Sequence, residues 1–151
     1  MTALAAQRFS SDDMAQPPRQ DDIDNNGSVE STRPVVLVVE DDTLLRMHAA
    51  EMIDEAGYEA IEAQNADEAI KVLEARSDVA IVFTDIDMPG SMNGLKLAQT
   101  IADRWPPVRI VATSGHFQMR DGDLPPGGVF IAKPYRSHQI LSTLNEMAGR
   151  A

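Results

Sequence analysis

Residues 79–94 read Val79-Ala80-Ile81-Val82-Phe83-Thr84-Asp85-Ile86-Asp87-Met88-Pro89-Gly90-Ser91-Met92-Asn93-Gly94. This stretch decides the fold. Its opening run is apolar on both faces of an extended chain, the pattern of a strand covered from above and below. The run stops at an acid, and Pro-Gly and Asn-Gly then mark a loop before helical periodicity resumes. A strand of this kind belongs in a parallel sheet with helices on either side.

The same alternation continues outward in both directions. Val35–Val39 is a second run apolar on both faces, followed by Thr43–Ala56 with Leu45, Ala49, Met52, Ile53 and Ala56 at helical spacing. Gly57 stands where a helix C-terminus needs a left-handed residue. Tyr58–Ala63 reads as a short strand, and Asn65 as the cap of a helix running to Arg76, with Ala66, Ala69, Ile70 and Leu73 facing inward. Beyond Gly94, Leu95–Arg104 is helical and is stopped by Pro106-Pro107. Val108–Thr113 and Val129–Ala132 are strands, and Ser137–Gly149 is a closing helix with Ile140, Leu144 and Met147 on one face. The expected fold is therefore α/β, a five-stranded parallel sheet, doubly wound. Its weak point is residues 114–128, SGHFQMRDGDLPPGG, where Asp121-Gly122-Asp123 and Pro125-Pro126 leave room for a fourth helix that is at best short or irregular.

Composition narrows the function. The chain has 151 residues, no cysteine and a formal net charge of -11. One ordinary domain fits this length. Without cysteine there is no disulfide framework, thiolate metal site or cysteine nucleophile, which suits a reducing compartment. An acidic surface repels phosphodiester backbones, so no nucleic-acid partner is expected. No apolar run approaches the roughly 20 residues of a spanning helix, and no signal peptide is recognisable, so neither a membrane nor secretion is expected and the location is read as cytoplasmic. Residues 1–33 carry six acids and three basic residues without apolar periodicity and read as a disordered acidic tail. The core then spans 34–151.

In an open parallel sheet, ligands bind at the carboxyl ends of the strands. Those ends here carry Glu40-Asp41-Asp42, Asp85, Thr113-Ser114-Gly115 and Lys133-Pro134. Two carboxylates about 4 Å apart repel by about 1 kcal/mol in water and about 4 kcal/mol at an effective dielectric of 20. Lys133 supplies one compensating charge, and a hard divalent cation with oxygen ligands is the natural second.

The four segments VVLVVEDD, FTDIDMPG with Asn93-Gly94, IVATSG and FIAKPY, in this order on alternating strands and helices, resemble the receiver domain of two-component response regulators. The resemblance covers 34–151 and implies a flavodoxin-like receiver fold. It implies that Asp85 is the phosphoacceptor and that Mg²⁺ (or Mn²⁺) is bound by Asp41 directly, Glu40 through water, Asp85 itself and the backbone carbonyl of Asp87. Arg46, five residues after Asp41, sets this register; one residue later, Asp42 and Asp41 would exchange roles. Ser114 matches the switch hydroxyl, Lys133 the phosphate-binding lysine and Phe130 the aromatic switch. Asp87 and His116 occupy positions that border the acyl phosphate and tune its lifetime. The loop PGSMNG is one residue longer than is usual in the family, which implies a reshaped path after Asp85.

The implied function is a stand-alone response regulator in a phosphorelay. It takes a phosphoryl group from a histidine kinase or a histidine phosphotransfer protein and signals by phospho-dependent binding of a protein target or by shuttling phosphate. It catalyses only its own phosphorylation and dephosphorylation. With the chain ending just after its last helix, no output domain is expected. Asp85-Ile86-Asp87 also resembles the Asp-x-Asp of haloacid-dehalogenase phosphatases, but there that motif precedes the acidic pair, and no room exists for a cap domain. A pseudo-receiver would have lost the acceptor, a metal acid or the lysine, and none is lost. No glycine-rich phosphate loop is present, so ATP is not the expected donor. His48, His116 and His138 lack the partners of a metal site, and Trp105 reads as packing at a helix end.

Overall fold

The computed structural model describes residues 33–116, 120 and 122–150. The acidic tail read over 1–33 thus lies outside the described residues, apart from Arg33, whose guanidinium donates to the Asp54 carbonyl at 3.4 Å.

The chain runs β1 (Val35–Val39), α1 (Thr43–Glu55), β2 (Glu59–Ala63), α2 (Ala66–Ala75), β3 (Val79–Asp85), α3 (Gly94–Arg104), β4 (Arg109–Ser114), β5 (Val129–Ala132), α4 (Ser137–Met147). All strand pairs are parallel, in the spatial order β2-β1-β3-β4-β5. The five-stranded parallel sheet expected from the sequence is present, and its strand order reverses between β1 and β3, the place where such sheets bind ligands.

Side-chain alternation along the strands splits the core in two. On one face, Leu37, Val39 and Val82 pack with Ala69 and Leu73 of α2 and with Leu97, Ala98 and Ile101 of α3. On the other, Val36, Val38, Phe83 and Val111 pack with Ala49 and Ile53 of α1 and with Ile140 and Leu144 of α4. Every residue of β1 is buried, as a strand with apolar side chains on both faces demands.

Local signals place the helix ends. Asp42, Asn65 and Asn93 each accept a backbone N–H from three residues on, at 3.0, 2.9 and 3.0 Å, satisfying donors that the first helical turn leaves open. Gly57, at φ +98°, turns the chain out of α1 into β2. Leu45, at helical spacing with Ala49 and Ile53, is 51% exposed, and burial on this helix begins only at Ala49. The stretch in which a fourth helix was expected to be short or irregular lies partly outside the described residues (117–119 and 121), and no helix forms among the described residues of 115–128. Residues 122–128 form turns: Arg120 N–H donates to the Asp123 carboxylate at 2.7 Å, and Gly128 N–H to the Pro125 carbonyl at 3.0 Å. Pro125-Pro126 removes two donors a helix would need, and Leu124 packs this connection against the core. Among the described residues, no helix is long and apolar enough to cross a membrane.

Candidate functional site

Backbone hydrogen bonds carry the sheet ladder one step past the strands and thereby fix the site. Glu40 N–H donates to the Ala63 carbonyl at 3.1 Å, Ile86 N–H to Thr113 at 2.8 Å, and Lys133 N–H to Ser114 at 2.9 Å. The side chains of Glu40, Asp85, Ser114 and Lys133 consequently leave the sheet along one edge. A Cβ on Gly94 would collide with the Asp85 carbonyl oxygen and come within 2.7 Å of Ile86 Cα, so only glycine lets α3 begin this close to Asp85. Lys133-Pro134 is a cis peptide.

Glu40 and Asp85 are buried, at 8% and 6% exposure, whereas Asp41 is exposed. One carboxylate oxygen from each lies within 4.8 Å of the others. Lys133 Nζ sits 3.3 Å from Asp85 Oδ2 and 3.4 Å from Glu40 Oε1. Burial pushes the Glu40 carboxyl above the usual glutamate range and the Asp85 charge adds to this, outweighing the Asp42 N–H and Lys133. Burial pulls the Lys133 ammonium down, but the charges of Asp85 and Glu40 overcome it and hold its pKa above the ordinary lysine value. Three acids against one ammonium leave an excess of negative charge, and all-oxygen donors suit a hard divalent cation. Glu40, Asp41 and Asp85 could hold one.

Asp42 has a different task. It caps α1 and its N–H donates to Glu40 Oε2 at 3.0 Å, so it is not one of the clustered acids, and the geometry favours the register set by Arg46. Arg46 itself donates from Nη1 to the Glu40 carbonyl at 2.9 Å and from Nε to Glu62 Oε1 at 3.1 Å, bracing the end of β1 from α1. The family position of Arg46 was readable in the sequence, but this contact was not.

The second half of the site lies around Ser114. Its Oγ donates to Asp87 Oδ2 at 2.5 Å and accepts the His116 N–H at 3.1 Å, while Asp87 N–H donates to Asp85 Oδ1 at 3.2 Å. Asp87 is thereby tied to both Asp85 and Ser114, and the His116 backbone to Ser114, while the His116 residue is exposed. Phe130 stands half-buried on β5 opposite Ala112, outside the hydrogen-bonded group around Asp85. Tyr135, which sequence reading did not single out, meets Phe83 edge-on at 5.9 Å between ring centres. Burial raises its hydroxyl pKa, with Lys133 acting against this. The longer loop crosses to α2, where Ser91 Oγ donates to Asp67 Oδ1 at 2.7 Å, and Met88 and Met92 pack it onto the core. His48 and His138 are exposed, and Trp105 packs against the core with Arg104 4.3 Å over its ring.

Residues 36–145 match the family model of the response regulator receiver domain. The chain belongs to that family. Sensor kinase CckA of Brucella abortus is 29% identical over 116 residues, 74% of this chain but only 12% of the kinase. Response regulator receiver protein CpdR of the same organism is 25% identical over 115 residues, 74% of this chain and 94% of that protein. A response regulator receiver protein from Sinorhizobium medicae superposes with a TM-score of 0.72 at 21% identity, covering 78% of this chain and 96% of that one, and so shows the shared fold. The protein is thus a receiver domain of two-component signalling.

Proposed function

We propose that this receiver accepts a phosphoryl group on Asp85 from the phosphohistidine of a histidine kinase or a histidine phosphotransfer protein. The observation that carries this reading is the buried Asp85 carboxylate, 3.3 Å from the Lys133 ammonium and clustered with Glu40 and Asp41, at the point where strand order reverses. Asp85 attacks phosphorus, a P–O bond forms, and the P–N bond to the donor imidazole breaks with its electron pair returning to nitrogen. Lys133 stabilises charge on the transferring oxygens. Glu40, Asp41, Asp85 and the Asp87 carbonyl would hold Mg²⁺ or Mn²⁺, which when bound neutralises phosphoryl charge. Ser114 then donates to the acyl phosphate, and Phe130 follows its movement as the aromatic partner of the switch.

A protein donor suits the rim of the site. Leu44, Leu45 and Met47 are 78%, 51% and 54% exposed at the start of α1, the helix that follows Asp41, and offer an apolar surface to a donor protein. CpdR, named as a receiver protein, is covered almost throughout its length, which supports a stand-alone receiver; its output would be a phospho-dependent protein target or the shuttling of phosphate, in the cytoplasm. In this reading the protein catalyses only its own phosphorylation and dephosphorylation.

The test is transfer from a phosphorylated histidine kinase. Label moves to wild-type protein with Mg²⁺ and stays on the kinase with Asp85→Asn or with chelator. Equal transfer to Asp85→Asn contradicts the assignment.

A further inference from the structure

We propose that Asp87 is a positioning residue that holds the Ser114 hydroxyl in competition with a phosphoryl group on Asp85, so that it sets how readily the modified protein switches. The inference rests on the reading of Asp85 as phosphoacceptor. Ser114 is 2% exposed, and its Oγ donates to Asp87 Oδ2 at 2.5 Å, within the range of charge-assisted O–H···O⁻ bonds. A hydroxyl has one proton to give. While Asp87 holds it, no phosphoryl oxygen can accept it. The same residue is tied to the acceptor through its own N–H, 3.2 Å from Asp85 Oδ1, so latch and acceptor sit within one short loop. Moving Ser114 onto the phosphoryl group therefore means breaking its bond to Asp87.

Asp87 is exposed. Water solvates its carboxylate once Ser114 leaves, which keeps the release cost below that of a fully buried charged hydrogen bond. Two effects oppose a phosphoryl mimic here: the held hydroxyl, and the negative charge of Asp87 beside Asp85. A mutant cycle separates them.

The probe is beryllofluoride with Mg²⁺, titrated by NMR into wild type, Asp87→Ala, Ser114→Ala and the double variant. Removing Asp87 is expected to tighten beryllofluoride binding about tenfold with Ser114 present, but only about threefold in Ser114→Ala, the difference being the worth of one hydrogen bond. Ser114→Thr, which keeps the hydroxyl, restores the larger gain. Equal gains in both backgrounds, or no gain in either, overturn the latch. Should Asp87→Ala fail to fold, Asp87→Asn decides by the same comparison with smaller gains, because it keeps an acceptor oxygen and loses the charge. Failure of the underlying reading looks different: beryllofluoride binding then survives Asp85→Asn in every background, and the latch falls with it.

Discussion

The two sides of the site are built differently. On the β1–β3 side, Glu40, Asp41 and Asp85 end strands whose neighbours are buried on both faces and covered by regular helices. On the β4–β5 side, Ser114 and Lys133 are joined by a connection whose described residues form turns, and β5 itself is only partly covered, with Val129 and Phe130 half-buried and Ala132 exposed. Ser114 ends a strand as well buried as those of the carboxylates, at 2% exposure, whereas Phe130 and Lys133 belong to the thinly covered β5 side. The packing contrast is therefore between the buried β1, β3 and β4 and the half-covered β5 with the connection that leads to it.

The largest expected effects come from the packed side. Leu37 is completely buried in β1, and Leu37→Ala should cost about 3 kcal/mol of stability in urea unfolding, through lost contact and a residual cavity. Leu124, half-buried in the β4–β5 connection, should cost only about 1 kcal/mol when changed to alanine. Similar losses for the two would erase the contrast.

Nearly as large is the response to metal. Free Mg²⁺ at a hundred times its Kd should stabilise the chain by about 2.7 kcal/mol, read as a rise in Tm. Asp41→Asn should abolish that rise while leaving the metal-free Tm little changed, since Asp41 is exposed. A wild-type Tm that ignores saturating Mg²⁺ would leave the acidic cluster without its cation.

Smallest is the pH dependence. Burial and the Asp85 charge raise the Glu40 pKa on folding, so the folded chain binds more protons than the unfolded one just above the glutamate value of 4.5. Stability contributed by Glu40 therefore falls as pH rises from there through the raised value. Glu40→Gln should flatten this part of the metal-free stability profile, and an unchanged slope would show that Glu40 is not its source.

Much of this was legible in the sequence because it depends on periodicity and strand ends. The runs at Val35 and Val79 gave two buried strands, Asn65 gave its cap, and the polar residues after each strand gave the acids, Ser114 and Lys133. What escaped depends on three-dimensional reach. Nothing in the spacing says that Arg46 touches the Glu40 carbonyl, that Asp42 caps α1, or that Asp87 reaches Ser114 from the loop after β3. The exposure of Leu45 was not legible either, because helical spacing does not reveal where the sheet beneath a helix begins. The 114–128 connection was readable as a poor helix from its glycines and prolines, but its turns follow from side-chain closures such as Asp123 on Arg120.

The proposed function stands or falls with a phosphoryl group on Asp85 in a metal-dependent site. Intact-mass spectrometry after incubation with acetyl phosphate, followed by fragment mapping, tests it most directly. One phosphoryl group per chain is expected with Mg²⁺, none with chelator and none in Asp85→Asn. An adduct that persists in Asp85→Asn, or that maps to another residue of the wild-type chain, would contradict it.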